Sequence, residues 1–172
     1  MNLYLMRHAI AVDADDNSQD RLRPLTAKGR LKLIRIAQNL KNLDITFDLI
    51  LTSPALRALQ TAETVAGVLG LHSKKVIQTE NLAPPGSTVH LLAEIIARES
   101  LDNLLIVGHE PYLSQLIGML LAGDASLSIR LKKAGLCKLS FEQLVYGRCA
   151  TLEWLLTPAQ LLAMGTHIEL DR

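Results

Sequence analysis

Short uninterrupted apolar runs alternate with longer stretches in which apolar residues recur at helical spacing, and this alternation predicts a chain of strand and helix units. Residues 2–6, Asn-Leu-Tyr-Leu-Met, predict a strand that ends at Arg7-His8. Residues 12–23 are too rich in Asp, Asn, Ser and Gln to pack and predict a surface loop. Thr26 then stands in an N-cap position, and over 27–43 Leu31, Ile34, Ala37 and Leu40 form an apolar stripe, with Lys28, Arg30, Lys32 and Lys41 mostly off it. Residues 47–51 predict a second strand. Ser53 follows as N-cap and Pro54 as first helical residue of a helix stopped by Gly70, whose apolar face is Ala55, Leu59, Ala62, Ala66 and Leu69, with Arg57 in its first turn. A short strand at 75–78, a stiff proline loop at 82–87 and a helix over 88–99 come next. Residues 103–107 are almost wholly aliphatic and make the clearest strand, after which Gly108-His109-Glu110-Pro111 leads into a helix ending near Gly123. Strands at 135–141 and 149–156 and a short helix at 158–164 complete the pattern.

Strands this apolar need cover on both faces, so the expected fold is α/β, a three-layer sandwich with a mostly parallel central sheet and helices on both sides. At 172 residues one domain spanning 1–172 is expected, and 49% apolar content is enough for a sizeable core. Lys and Arg number 18 against 17 Asp and Glu, which lacks the cationic field of a nonspecific nucleic-acid binder. Cys137 and Cys149 fit neither a Cys-x-x-Cys nor a zinc spacing and suggest a reducing compartment. The first apolar run is cut short at Arg7-His8, and later runs fall far below the ~20 residues that span a bilayer. The expectation is a cytoplasmic protein without membrane or nucleic-acid partners.

In open α/β sheets, ligands sit outside the carboxyl ends of the strands. Three of those ends are related in chemistry: Arg7-His8 after the first strand, residues 53–57 after the second, and His109 after the aliphatic one. Two imidazoles and two guanidiniums suit a dianionic, phosphoryl group, because each guanidinium grips two oxygens in a fixed fork and stays charged at any working pH. A charge pair at ~4 Å is worth about 4 kcal/mol at an effective dielectric near 20, before desolvation. Free amides at the start of the Pro54 helix would add to it. A neutral imidazole attacks phosphorus, and neighbouring cations keep it neutral, which suits His8 as nucleophile. His109, protonated once the dianion binds, suits a donor to the phosphoryl oxygens.

Four elements follow one another at these places: Leu5-Met6-Arg7-His8-Ala9; Arg23-Pro24-Leu25-Thr26 with Gly29; Ser53 and Pro54 with Arg57 and Thr61; and Gly108-His109 with Pro111. In them the chain resembles, over most of its length, the histidine phosphatase superfamily of phosphoglycerate mutase-like fold, in particular the small phosphohistidine phosphatases of the SixA type. The resemblance implies a metal-independent enzyme without cofactor. It implies that the residue matching His8 is phosphorylated, that those matching Arg7, Arg57 and His109 hold the phosphate, and that the arginine matching Arg23 folds over it. The substrate would be a phosphorylated histidine-containing protein, such as a phosphotransfer domain in a phosphorelay. Two positions depart from the family. Ala9 stands where glycine is usual, and an alanine there is strained if the backbone is left-handed. Glu80 is the only acid near the place where many members carry one to protonate an alkoxide. Phosphohistidine releases an imidazole whose conjugate acid has a pKa near ~6.5, so a weak acid position agrees with a phosphoramidate substrate. The chain also has little length for insertions that roof the site, which agrees with a substrate carried on a protein.

Competing readings are a phosphatase of small phosphoesters, a noncatalytic phosphate-binding regulatory module, and a metal hydrolase built on His8, His90 and His109. Arginines beside a metal would repel the cation, which disfavours the last. His72, His90 and His167 match no motif, and Glu110 reads as a salt-bridge partner at most.

Overall fold

The structure is a computed structural model and describes residues 1–14, 20–98 and 100–166, so His167 lies outside the described residues. Strands β1 (Asn2–Arg7), β2 (Leu49–Thr52), β3 (Val76–Gln78), β4 (Asn103–Gly108), β5 (Leu136–Ser140) and β6 (Thr151–Leu156) form one sheet in the order β3-β2-β4-β1-β5-β6. β4 pairs in parallel with both β1 and β2, and β2 with β3. β5 is antiparallel to β1, and β6 to β5. The sheet is therefore mixed. The last two strands are joined by a short connection without a helix, which permits only an antiparallel return.

Helices α1 (Ala27–Asn42), α2 (Leu56–Leu69) and α5 (Pro158–Ala163) cover one face, and α3 (Thr88–Ile96) and α4 (Tyr112–Ala122) the other. The strand period of two divides the core between them. Tyr4 and Met6 of β1 face Leu33, Ile36, Ala62 and Leu161, whereas Leu3 and Leu5 face Leu91, Ile95, Leu113 and Leu116. Tyr4 meets Phe47 and Trp154 edge to face, with ring centroids 5.0 and 5.9 Å away. The three-layer α/β sandwich expected from the apolar pattern is the fold observed, and its parallel part is the region that carries the strand ends of interest.

Two helices depart from expectation in register. The buried side of α1 is Gly29, Leu33, Ile36, Ala37 and Leu40, while Leu31 is 65% exposed. Leu31 and Ile34 satisfy the apolar spacing, but packing against α2 selects which side of α1 is buried. The second helix begins at Leu56 with Ala55 as its N-cap and no side-chain cap, so Ser53 and Pro54 stand outside it. Its end is as expected, at Gly70 in the left-handed region with φ 74°. α3 stops at Ile96, short of the expected 99. Thr26 does cap α1, accepting from the Gly29 amide at 2.9 Å.

Backbone bonds at the ends of β1, β2 and β4 fix the site. The His8 amide donates to Gly108 O at 3.0 Å, and the Ser53 amide donates to Val107 O at 3.0 Å. Both neighbouring chains thus remain zipped to β4 one residue beyond their strands, immediately before His109.

Candidate active site

His8 and His109 leave adjacent parallel strands and meet with ring centroids 5.1 Å apart and planes tilted by 54°. His8 is 7% exposed and His109 3%. Nδ1 of His8 lies 2.8 Å from Ala9 O, and because a carbonyl only accepts, this nitrogen carries the proton. Nε2 is then the ring nitrogen with the lone pair. The Ala9 amide donates to Thr61 Oγ1 at 3.0 Å, and the Thr61 hydroxyl donates to Arg57 O at 2.6 Å. The threonine four residues after the arginine therefore ties the loop after β1 to α2.

Nε2 of His109 is 2.9 Å from Ser53 Oγ. The same oxygen accepts from the Ala55 amide at 3.3 Å. Nδ1 of His109, the other ring nitrogen, is buried and has no partner among the described protein atoms. Nε of Arg7 and Nε of Arg57 are buried and unpartnered in the same way. Two guanidinium N–H groups and one imidazole nitrogen without protein partners make a seat for an anion.

Arg57 is 5% exposed although it stands in the first turn of a surface helix. Arg7 donates from Nη1 to Leu131 O at 3.2 Å, and the Ala134 amide donates to Arg7 O at 3.0 Å. The segment before β5 thus braces the end of β1 from behind. Ala134 holds φ at 62° there, whereas Ala9 is not among the residues of positive φ. The strain feared at Ala9 is absent, and its methyl is simply packed at 1% exposure.

Burial is the main cause of the imidazoles' low basicity. His8 is pushed down from 6.5 to about 3, with His109, Arg57 and Arg7 acting in the same direction and the Ala9 carbonyl opposing. His109 is pushed down to about 4 by burial first and then by Arg57, with Asp20 opposing. Cations alone were expected to keep His8 neutral; they assist, but desolvation leads.

Arg23 does not join the imidazoles directly. Its guanidinium grips Asp20, and its Nη1 donates to Val12 O at 2.7 Å. Asp20 went unrecognised in the sequence, where it was one acid in a loop read as solvated. Its partners, Arg23 and Arg57, are 3 and 37 residues away, and the only available signal was that it precedes the Arg-Pro-Leu-Thr element. Glu80 forms an exposed ion pair with Arg21 at 2.6 Å. Glu110 forms no ion pair among the described residues, correcting the salt-bridge expectation. It accepts from Ser114 at 2.5 Å, and burial raises its carboxyl above the usual range. His90 is exposed on α3, and His72 accepts from the Lys74 amide. Among the described residues no three His, Cys, Asp or Glu side chains gather as a metal site, and no helix is long and apolar enough to cross a membrane.

Residues 3–83 match the family model of the histidine phosphatase superfamily (branch 1). An uncharacterized protein of Picosynechococcus sp. is 41% identical over 139 residues, covering 79% of this chain and 82% of that protein. Phosphohistidine phosphatase SixA of Escherichia coli is 32% identical over 126 residues, covering 72% and 76%. The solved structure of the protein histidine phosphatase SixA complexed with tungstate superposes with a TM-score of 0.81 at 28% identity, over 94% of this chain and 99% of that one.

Proposed function

The chain belongs to the histidine phosphatase superfamily and is a homologue of SixA, and from that premise we propose that it hydrolyses phosphohistidine on another protein through a covalent intermediate on His8. A phosphatase is what the family membership establishes; the substrate and the residue roles are our reading.

The phosphoryl group binds between Arg7, Arg57 and Nδ1–H of His109. Nε2 of His8 attacks phosphorus, the bond from phosphorus to the substrate imidazole breaks, and the departing ring takes a proton. Water then cleaves the phosphohistidine at position 8, releasing inorganic phosphate and restoring the imidazole. His109 is neutral before substrate arrives; the dianion raises its basicity, so that it donates most strongly as charge builds on the phosphoryl oxygens. No strong acid need face the leaving group, because an imidazole departs more easily than an alkoxide, and Glu80 is engaged elsewhere.

The observation that carries this reading is the His8 ring, with Nδ1 tied to Ala9 O and its centroid 5.1 Å from that of His109. That arrangement presents a neutral nucleophilic nitrogen beside a second imidazole. Guanidiniums around it favour an anion and disfavour a metal cation, so turnover should be indifferent to chelators and inhibited by vanadate. The direct test uses a phosphotransfer domain labelled on histidine. Rapid quenching should trap acid-labile phosphate on the wild-type protein and none on His8→Ala, which should also lack turnover. Inert phosphohistidine proteins alongside rapid hydrolysis of sugar phosphates would replace this substrate with a small ester. Tight phosphate binding without any phosphoenzyme would make the protein a binding module.

A further inference from the structure

Asp20 occupies the guanidiniums that the phosphatase reading gives to the substrate. Its Oδ2 accepts from Nη2 of Arg57 at 2.9 Å, and its backbone carbonyl accepts from Nη1 of the same side chain at 2.7 Å. Its Oδ1 accepts from Nε of Arg23 at 2.9 Å and from Nη2 at 2.5 Å. One residue therefore fills two guanidinium forks, Oδ1 that of Arg23 and Oδ2 with the backbone carbonyl that of Arg57, as phosphoryl oxygens would. The partners differ sharply in burial. Arg57 is 6% exposed in its side chain and fixed by the fold, whereas Asp20 is 61% exposed, at the solvent edge.

We propose that Asp20 is a specificity-determining residue, whose carboxylate holds the phosphate seat of Arg57 and Arg23 and yields it only to a ligand with two negative charges on one tetrahedral group. The proposal rests on the phosphatase reading of this site and deepens it. A monoanion that displaced Asp20 would exchange one charge for another and lose the advantage of a contact held within the same chain, where the effective concentration is high. A phosphoryl monoester or phosphoramidate near its second ionisation brings a second charge and more oxygens. These reach Nε of Arg7, Nε of Arg57 and Nδ1 of His109, which Asp20 leaves unpartnered. Displacement is thus favourable for a dianion and unfavourable for a phosphodiester, a free carboxylate or a halide. Until then the same contacts keep Arg57 paired, so that a buried guanidinium is not left without an anion.

The test compares wild type with Asp20→Asn, which keeps the shape and removes the charge, and with Asp20→Ser, which also removes the reach. Binding of inorganic phosphate and of dimethyl phosphate is measured by calorimetry, with thermal unfolding to confirm that each variant folds. Both variants should bind inorganic phosphate about tenfold more tightly, the order expected from removing a partly exposed carboxylate that makes two competing ion pairs. Dimethyl phosphate, silent on wild type, should become a measurable ligand. Unchanged or weaker phosphate binding in whichever variant folds would overturn the proposal, as would a loss of kcat without any change in phosphate affinity, which would make Asp20 a positioning residue instead. If wild type and variants alike fail to bind phosphate, the phosphatase reading falls as well, and that result is distinct from binding that merely fails to tighten.

Discussion

His8 and His109 are the same residue type 5.1 Å apart, and what separates their tasks is the partner of each ring's other nitrogen. A carbonyl acceptor leaves His8 with a free lone pair, and the Ser53 hydroxyl engages one nitrogen of His109 and leaves the other without a protein partner. Ser53→Ala should therefore lower kcat roughly tenfold or more with little change in KM, because it releases the ring of His109 without removing a phosphate ligand; steady-state kinetics decide it. Thr61 has no exposure and bonds two backbone groups at once. Thr61→Val keeps its shape but strands the Ala9 amide, and urea unfolding should show a loss of about 1–3 kcal/mol. The candidates Arg7, His8, Arg57 and His109 were legible because each follows a strand or opens a helix in a recognisable motif. Asp20 was not, since an acid in a polar loop looks the same whether it is solvated or holding a buried arginine.

Among the elements, α1 shows why the Arg-Pro-Leu-Thr-x-x-Gly stretch has its form. The Thr26 amide donates to Ile10 O at 2.9 Å, and the first turn of α1 lies so close that a Cβ on Gly29 would stand 2.2 Å from that carbonyl. Gly29→Ala should push α1 off the loop after His8 and cost on the order of 1–3 kcal/mol in urea unfolding, with a matching drop in turnover. Most of this motif is therefore a brace for the loop after His8, and only Arg23 points toward charge. Strand positions came through well from the apolar runs, because a buried strand needs both faces apolar. Helix faces came through less well. Leu31 satisfies the spacing yet is 65% exposed, since which of two apolar stripes is buried depends on the neighbour and not on the period. Ser53 fits every local rule for an N-cap, but its oxygen is more useful beside His109, and the helix starts after it.

At the scale of the whole molecule, two neutral imidazoles buried in the folded state make stability depend on pH. Both pKa values lie below 6.5 in the fold, at about 3 and about 4, while the unfolded chain takes up protons near 6.5. The unfolded state thus binds more protons as pH falls, and stability present above 6.5 is lost progressively toward those values. At pH 5 each imidazole should cost up to roughly 2 kcal/mol relative to pH 7, and His8→Ala should flatten the slope of the urea midpoint against pH between 7 and 5. An unaltered slope in that variant would mean that His8 titrates normally. The sequence by itself determined the layers, the parallel strands and the strand ends at which chemistry gathers, because burial on two faces and strand-to-helix switches leave their mark in local residue order. Tertiary structure alone decided the mixed sheet, the tautomer of His8, the left-handed backbone at Ala134 rather than Ala9 and the capture of Asp20 by Arg57 and Arg23. Each of these depends on which distant group comes within about 3 Å, and hydrogen bonds and desolvation respond to that distance and not to separation along the chain.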